Sequence, residues 1–184
     1  MKRAPEGWKL LSSKKMYDHR YLKVYEDALD LAAAGKSTKT YIRGVRMDYS
    51  TIVPFSADND KILTIKSYRH LVDSYRVEAP SGYIERGETP RHAARRELEE
   101  ETGYVAKKLV LVGSYTLDYT MFLQRGHVFA AYGLEKTGQV RLGAMEKISR
   151  VEFMPIEKIK KLLQNGKILN AASIVALYRA LDFH

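Results

Sequence analysis

The chain has 184 residues and no cysteine, so disulfides, thiolate metal sites and cysteine nucleophiles are excluded. Its formal charge of +9 favours anionic partners such as phosphorylated metabolites, nucleic acid or anionic lipid, although solubility alone would also explain it. Residues 1–20 contain no apolar core of signal-peptide length, and no stretch approaches the roughly 20 apolar residues that span a bilayer. We therefore expect a soluble, cytoplasmic protein without a membrane partner.

Alternation of apolar and polar side chains predicts strands at 20–26 and 40–46, close to the N-terminus. Similar patterns and apolar runs predict five further strands: 50–56, 61–69, 108–116, 127–132 and 148–155. Helical periodicity predicts three helices: 90–102, 155–163 and 170–181. This mixed order is typical of an α/β (α+β) fold in which helices pack on a mixed sheet.

The helix predicted at 90–102 is unusually acidic near its C-terminal end. Thr89 is a good N-cap for this helix and Gly103 is a natural stop. On a helical wheel of about 100° per residue, three glutamates share the small, inward side with two alanines: Glu97, Glu100, Glu101, Ala93 and Ala94. The opposite side holds Arg91, Arg95, Glu99 and Thr102, and we expect the arginines to face water.

Such a cluster of glutamates is unfavourable on a simple solvated helix. Like charges one turn apart repel, and the C-terminal end of the helix macrodipole is itself negative. Burial would raise the carboxylate pKa values unless a cation compensated the charge. A divalent, oxygen-seeking cation such as Mg²⁺ resolves this conflict, because its preferred ligands are carboxylates, carbonyls and water.

The residues around this helix resemble the signature of the Nudix hydrolases, in which glycine, glutamate and arginine recur at fixed spacing. The matching positions here are Gly82, Glu88, Arg96, Glu97, Leu98, Glu100, Glu101 and Gly103. Tyr104 departs from the aliphatic residue that usually follows, at a position that packs and does no chemistry. The resemblance implies a Nudix α/β/α sandwich, with a mixed β-sheet between helices and an N-terminal β extension. It also implies metal-dependent hydrolysis of a diphosphate linked to another group.

The resemblance assigns the metal ligands to particular positions. Glu97, Glu100 and Glu101 match the family's metal-binding glutamates, which take Mg²⁺ or Mn²⁺. A backbone carbonyl in the preceding loop, of Ser81 or Gly82, would be a further ligand. A carboxylate then removes the proton of the attacking water.

Three further residues gain roles from the same resemblance, and a fourth is an alternative. Arg96 and Glu88 would form an ion pair that orients the acidic face of the helix. A glutamate in the loop before the last strand often acts as a base or an extra metal ligand in the family. Glu146 matches that position best, and Glu152 is the weaker alternative.

The stretch "YRVEAPSGYIERGET" resembles the segment that precedes the motif in ADP-ribose and nucleoside-diphosphate-sugar pyrophosphatases. Within it Glu78 is a candidate substrate-binding residue, as is Arg69 in the preceding strand. Residues 165–177 resemble the start of the C-terminal helix of bacterial ADP-ribose pyrophosphatases. Two departures limit the match: residues 116–126 lack a proline that is common in ADP-ribose enzymes, and Asn170 replaces an aspartate that is frequent in sugar-nucleotide enzymes. We expect ADP-ribose or another ADP-sugar as the substrate.

The resemblance divides the chain into residues 1–45, a strand extension that forms a homodimer, and residues 46–184, the Nudix hydrolase domain. Trp8 could stack on a substrate base, although packing would explain it equally well.

Two functions are alternatives to the hydrolysis of an ADP-sugar. One is an RNA 5′-pyrophosphohydrolase or decapping enzyme, which the charge would suit, and the other is a non-catalytic RNA-binding Nudix module. Binding modules generally lose acidic residues of the motif, and this chain keeps them.

Overall fold

The computed structural model of the chain describes residues 8–31 and 37–183. Parts of the predicted extension, 1–7 and 32–36, therefore lie outside the described residues. The chain forms two compact units: the first combines Met1–Met47 with Thr116–Arg125, and the second combines Asp48–Tyr115 with Gly126–His184. None of the described helices has the length and apolar character that a membrane crossing requires.

The strands of the described residues are β1 (Lys9–His19), β2 (Leu22–Asp30), β3 (Lys39–Arg46), β4 (Tyr49–Pro54), β5 (Lys61–Arg69), β6 (Ser74–Glu78), β7 (Ser81–Tyr83), β8 (Tyr104–Thr116), β9 (Phe122–Leu123), β10 (Arg125–Lys136) and β11 (Ile148–Pro155). The helices are α1 (Pro90–Thr102), α2 (Ile156–Gln164) and α3 (Ala171–Phe183). Every predicted strand and helix corresponds to one of these elements. The remaining strands, β1, β6, β7 and β9, were not predicted from the sequence.

The first unit is built on an antiparallel sheet in which β2 lies between β1 and β3, and the short β9 pairs in parallel with β3. The buried carboxylate of Asp27 ties the three long strands together. It accepts hydrogen bonds from Ser13 Oγ at 2.5 Å and from Arg43 Nε at 2.6 Å. β1 has no partner strand on its other side within the described residues, and nearly all its side chains are exposed.

The second unit contains a mixed sheet with the strand order β7-β4-β10-β8, in which β10 runs parallel to β4 and β7 runs antiparallel to it. A second, antiparallel sheet has the order β11-β5-β6. Ile52 of β4 packs with Ala94 and Leu98 of α1, whereas its neighbour Val53 packs with residues of α2 and α3. Successive side chains of a strand point to opposite faces, so this sheet carries helices on both sides. The predicted α/β/α sandwich is confirmed.

One side of α1 is covered more than the helical wheel suggests. Arg91 and Arg95 are exposed as predicted, and each donates to a main-chain carbonyl of β8, at Leu109 (2.6 Å) and Ala106 (3.2 Å), but Thr102 on the same side is buried. The strand that follows the helix therefore covers part of the side that holds the arginines. A helical wheel cannot register this, because the cover comes from another element.

Candidate active site

The acidic residues are presented by a well-defined helix. Thr89 Oγ1 accepts a hydrogen bond from the N–H of His92 at 3.2 Å, which satisfies one free donor of the first turn. Gly103 closes the helix in the left-handed conformation, with φ of 71°, and its N–H donates to the carbonyl of Glu99 at 2.8 Å. Both helix signals predicted from the sequence are thus present.

The inward side of α1 lies against β7. Glu97 and Glu101 are only 6% and 4% exposed, and Glu101 Oε2 accepts a hydrogen bond from the N–H of Ser81 at 2.8 Å. Gly82 has no side chain, and a Cβ at this position would overlap the Glu97 carboxylate. The strand backbone can approach the Glu97 carboxylate this closely because residue 82 is glycine.

A third carboxylate reaches the same place from a distant part of the chain. Glu97, Glu101 and Glu146 each offer one oxygen such that these atoms all lie within 4.8 Å of one another. The exposed Glu146 accepts a hydrogen bond from the N–H of Gly143 at 2.8 Å within its own loop. The next residue, Lys147, accepts a bond from the N–H of Tyr68 at 2.9 Å, which ties the loop to β5.

Arg96 links two glutamates outside that group, Glu88 and Glu100, to Glu97 within it. Its Nε and Nη2 contact the Glu88 carboxylate at 3.1 and 3.0 Å, and Nη2 also donates to the Tyr83 carbonyl at 2.9 Å. Its Nη1 donates to Glu97 at 2.6 Å and to Glu100 at 3.0 Å. The Arg96–Glu88 contact is the one that the sequence led us to expect. Glu100 lies against Arg96 and is not a member of the three-carboxylate group.

The surroundings of Glu97 and Glu101 disfavour the ionised form of their carboxyl groups. Burial raises the pKa of the Glu97 carboxyl to about 7; Arg96 opposes this shift, and Glu146 and Glu100 add to it. Burial also raises the pKa of Glu101 well above its usual range, with the Ser81 N–H opposing and the neighbouring carboxylates of Glu97 and Glu146 reinforcing the shift. Two buried carboxylates therefore have less positive charge around them than their ionised forms require.

A divalent cation fits these residues. Three carboxylates from α1 and the loop before β11 converge, two of them are buried, and their raised pKa values would fall once a cation lay between them. Carboxylate oxygen is the donor type that hard divalent ions prefer. Glu97 and Glu101 belong to the predicted ligand set, Glu146 was the predicted loop residue, and Glu100 lies beside them.

A second charged cluster lies at the ends of β5 and β6. Arg69 donates two hydrogen bonds to the Glu78 carboxylate, from Nε at 3.0 Å and from Nη2 at 2.5 Å, and Glu78 is only 2% exposed. The side-chain amide of Asn170 donates to the same carboxylate at 3.3 Å. The positive charge of Arg69 also lowers the pKa of Glu101 slightly, against the larger effect of burial. The two predicted substrate residues, Arg69 and Glu78, are thus paired with each other.

Two predicted site residues, Trp8 and Glu152, belong to neither of these clusters. Trp8 belongs to the first unit, directly precedes β1, and is 44% exposed. Glu152 lies within β11, with its carboxylate 3.8 Å from Arg150, and is not a member of the three-carboxylate group. Asn170 was noted in the sequence only as a departure from a family pattern, so its contact with Glu78 was not foreseen.

Known proteins share both the sequence pattern and the fold. The model of the NUDIX domain matches residues 47–174, which is more than half of the chain. An ADP-ribose pyrophosphatase from Bacillus subtilis (strain 168) is 28% identical over 92% of this chain and 90% of its own length. A methanol dehydrogenase activator from Bacillus methanolicus is 26% identical over the same shares of the two chains. A crystal structure of an ADP compounds hydrolase, 21% identical, has the same fold with a TM-score of 0.84, covering 98% of this chain and 96% of the other. The chain therefore belongs to the Nudix hydrolase family.

Proposed function

We propose that this Nudix hydrolase cleaves the diphosphate linkage of a nucleoside diphosphate sugar, ADP-ribose or another ADP-sugar. Water adds to one phosphorus, the bridging P–O bond breaks, and the products are a nucleoside monophosphate and a sugar phosphate. The observation that carries the proposal is the convergence of Glu97, Glu101 and Glu146 within 4.8 Å. The similar Bacillus subtilis protein is an ADP-ribose pyrophosphatase, which supports the choice of substrate.

The proposed cofactor is Mg²⁺, with Mn²⁺ as a substitute. Glu97, Glu100 and Glu101 would hold it, together with a carbonyl of Ser81 or Gly82, and Glu146 lies beside Glu97 and Glu101. When bound, such an ion neutralises phosphate charge and acidifies a water molecule.

The chain's own residues prepare the acidic face for this cofactor. Arg96 bridges the carboxylates of Glu88, Glu97 and Glu100 and so fixes their orientation. The N–H of Ser81 fixes one oxygen of Glu101. Outer groups that orient metal ligands typically change metal affinity or activity about 10–100-fold.

Glu146 is our proposed general base, with Glu152 as the alternative. Its carboxylate is exposed, so it can accept a proton from the attacking water and release it to solvent. Arg69 is proposed to bind the substrate diphosphate, because a guanidinium matches phosphate oxygens well. Glu78 holds that guanidinium through two of its nitrogens.

The first unit is proposed to mediate homodimer formation. The support is β1, an edge strand that leaves Leu11, Met16 and Tyr17 about half exposed (50%, 51% and 54%). Exposed apolar side chains on an edge strand are unfavourable in a monomer. Trp8 is a candidate for stacking on a substrate base. Sedimentation of the full chain tests the dimer, and a sharp rise in KM for Trp8→Ala would support base stacking.

RNA 5′-pyrophosphate hydrolysis is the second candidate, and the charge of +9 is the observation that favours it. A non-catalytic RNA-binding module is disfavoured because Glu97, Glu100 and Glu101 are retained. The deciding experiment is a Mg²⁺-dependent screen of ADP-ribose, GDP-mannose, UDP-glucose, NADH, diadenosine polyphosphates and triphosphorylated RNA, with product identification. Turnover of RNA alone would contradict the proposed substrate, and RNA binding without any turnover would contradict the proposed activity.

A further inference from the structure

Asn170 has two functions in one side chain. Its Oδ1 accepts hydrogen bonds from the N–H groups of Ala172 at 2.9 Å and Ser173 at 3.4 Å, which caps the first turn of α3. Its Nδ2 donates to Glu78 Oε2 at 3.3 Å. The start of α3 is therefore hydrogen-bonded to the Glu78 carboxylate, which is also paired with Arg69.

Glu78 needs these partners because it is a buried carboxylate. Glu78 is only 2% exposed and therefore has almost no contact with water. A buried charge is costly unless it is paired and hydrogen-bonded. Arg69 supplies two donors to Glu78 and Asn170 supplies a third. Each donor restricts the carboxylate, and a restricted carboxylate holds the planar Arg69 guanidinium in one orientation.

The same turn of α3 also contacts the backbone that follows Glu78. The N–H of Ala79 donates to Ser173 Oγ at 3.1 Å, and Ser173 is buried. Two residues later, the N–H of Ser81 donates to Glu101 at 2.8 Å. The 78–81 segment thus connects two contacts. At one end the Glu78 carboxylate is hydrogen-bonded to Asn170 at the start of α3, and at the other end the Ser81 N–H is hydrogen-bonded to Glu101.

We propose that Asn170 is a positioning residue for substrate binding: by capping α3 and donating to Glu78, it holds Arg69 in the orientation that receives the diphosphate. The proposal rests on the proposed function of Arg69. It acts through Glu78 and requires no contact between Asn170 and substrate.

Only asparagine provides both halves of this contact at position 170. Serine and aspartate cap helices about as well as asparagine does, but serine is too short to reach Glu78. Aspartate would reach it with a second carboxylate and no donor, so repulsion would replace the hydrogen bond. Capping and positioning can therefore be separated by substitution.

The test compares Asn170→Ser and Asn170→Asp with Asn165→Ser and Asn165→Asp, matched changes at an exposed position at the end of α2. With ADP-ribose and Mg²⁺, we expect Asn170→Ser to raise KM about tenfold with a smaller change in kcat, and Asn170→Asp to raise it further. The Asn165 variants should remain within about twofold of the unsubstituted chain. A KM for both Asn170 variants equal to that of the Asn165 controls would overturn the proposal.

A double-mutant cycle with Glu78→Gln tests the route of the effect. If Asn170 acts through Glu78, Asn170→Ser should change KM much less in the Glu78→Gln background than alone. Full additivity would show that Asn170 acts by another route, against the proposal.

The same cycle followed by chemical unfolding requires no substrate, and we expect the two substitutions to be coupled there as well. If no ADP-sugar is hydrolysed, the proposed function is wrong. The coupling free energy from unfolding would still show whether Asn170 and Glu78 interact. Unfolding midpoints that add without coupling would overturn the link itself.

Discussion

The carboxylate of Glu97 lies against the backbone of Gly82, in space that a Cβ at residue 82 would occupy. Gly82→Ala should therefore displace the Glu97 side chain or separate β7 from α1. We expect a loss of about 1–3 kcal/mol in the free energy of unfolding, as for other overpacked sites. Activity should fall about 100-fold, because Glu97 leaves the acidic group.

Gly143→Ala is the matched control for this change. A Cβ at residue 143 would meet the Glu146 carboxylate at 3.5 Å, an ordinary van der Waals distance, and the N–H that Glu146 uses is retained. We expect its kcat/KM to remain within about threefold of the unsubstituted chain. If kcat/KM fell equally in Gly82→Ala and Gly143→Ala, a methyl group anywhere near the site would be harmful. The close contact between residue 82 and Glu97 would then not explain the loss.

Arg96→Lys should reduce kcat about 10–100-fold while leaving the fold intact. Lysine keeps the charge, but its single ammonium cannot reproduce the fork that contacts Glu88, Glu97 and Glu100 together. The adjacent Arg95→Lys is the control, since Arg95 is exposed and donates to the Ala106 carbonyl of β8, away from the glutamates that Arg96 contacts. Steady-state kinetics with ADP-ribose compare the two, and similar losses would argue against the bridging role of Arg96.

Glu101→Gln should abolish turnover and, in the absence of metal, stabilise the fold. Glutamine keeps an oxygen that can accept the Ser81 N–H, while the buried charge and its repulsion from Glu97 and Glu146 disappear. At about pH 8 in EDTA we expect a gain on the order of 1–3 kcal/mol in the free energy of unfolding. Thermal unfolding and a sensitive phosphate-product assay measure the two effects; near-normal turnover would contradict the metal assignment.

The metal-free protein should lose stability as pH rises. The folded-state pKa of Glu97 is about 7, above the ordinary glutamate value of about 4.3 expected when the chain is unfolded. The unfolded state therefore releases its proton first. Stability declines from about pH 4.5 through about pH 7, and Glu97 contributes a loss of about 3–4 kcal/mol at most. Glu101 extends the decline to higher pH, because burial raises its pKa as well.

The measurement is chemical unfolding in EDTA at several pH values, repeated with Mg²⁺. An ion that binds only the folded state restores stability, with the largest gain at high pH where the carboxylates are ionised. A stability that is flat across this range in EDTA would show that the two carboxylates do not carry a raised pKa. A Mg²⁺ effect that is identical in Glu101→Gln would show that the ion binds elsewhere.

Local features of the chain were predicted well because their causes lie within a few residues. The boundaries of α1 follow from the Thr89 cap and the left-handed Gly103, and its inward face follows from the spacing of alanines and glutamates. β1 was missed because side chains on both faces of this strand are exposed, so the alternation that predicts a half-buried strand is absent. The burial of Thr102 was not foreseen because it arises where the chain turns back into β8, whose first residue, Tyr104, donates its N–H to Thr102 Oγ1 at 3.2 Å.

The convergence of Glu146 with Glu97 could only be suggested by a family resemblance. These residues lie far apart in the chain, and the loop that joins them in space is fixed by main-chain bonds, from Arg141 N–H to the Glu100 carbonyl and from Tyr68 N–H to the Lys147 carbonyl. Main-chain bonds of this kind place no demand on side-chain type and leave no pattern in the sequence.

Glu146→Gln and Glu152→Gln distinguish the two candidate bases. Glu146 offers an oxygen within 4.8 Å of those of Glu97 and Glu101, whereas Glu152 lies in β11 with its carboxylate 3.8 Å from Arg150. Removal of a general base typically reduces rate about 10²–10⁴-fold, so we expect a loss of this size in kcat for Glu146→Gln and little change for Glu152→Gln.

The pH profile of kcat separates a base from a mere ligand in the Glu146→Gln variant. If Glu146 is the base, the residual activity should rise with hydroxide concentration, because solvent base takes over the proton transfer. If it only holds the cation, raising the Mg²⁺ concentration should restore most of the rate, because weaker binding is overcome by mass action. A full loss in Glu152→Gln with an active Glu146→Gln would reverse the assignment and place the proton acceptor on β11.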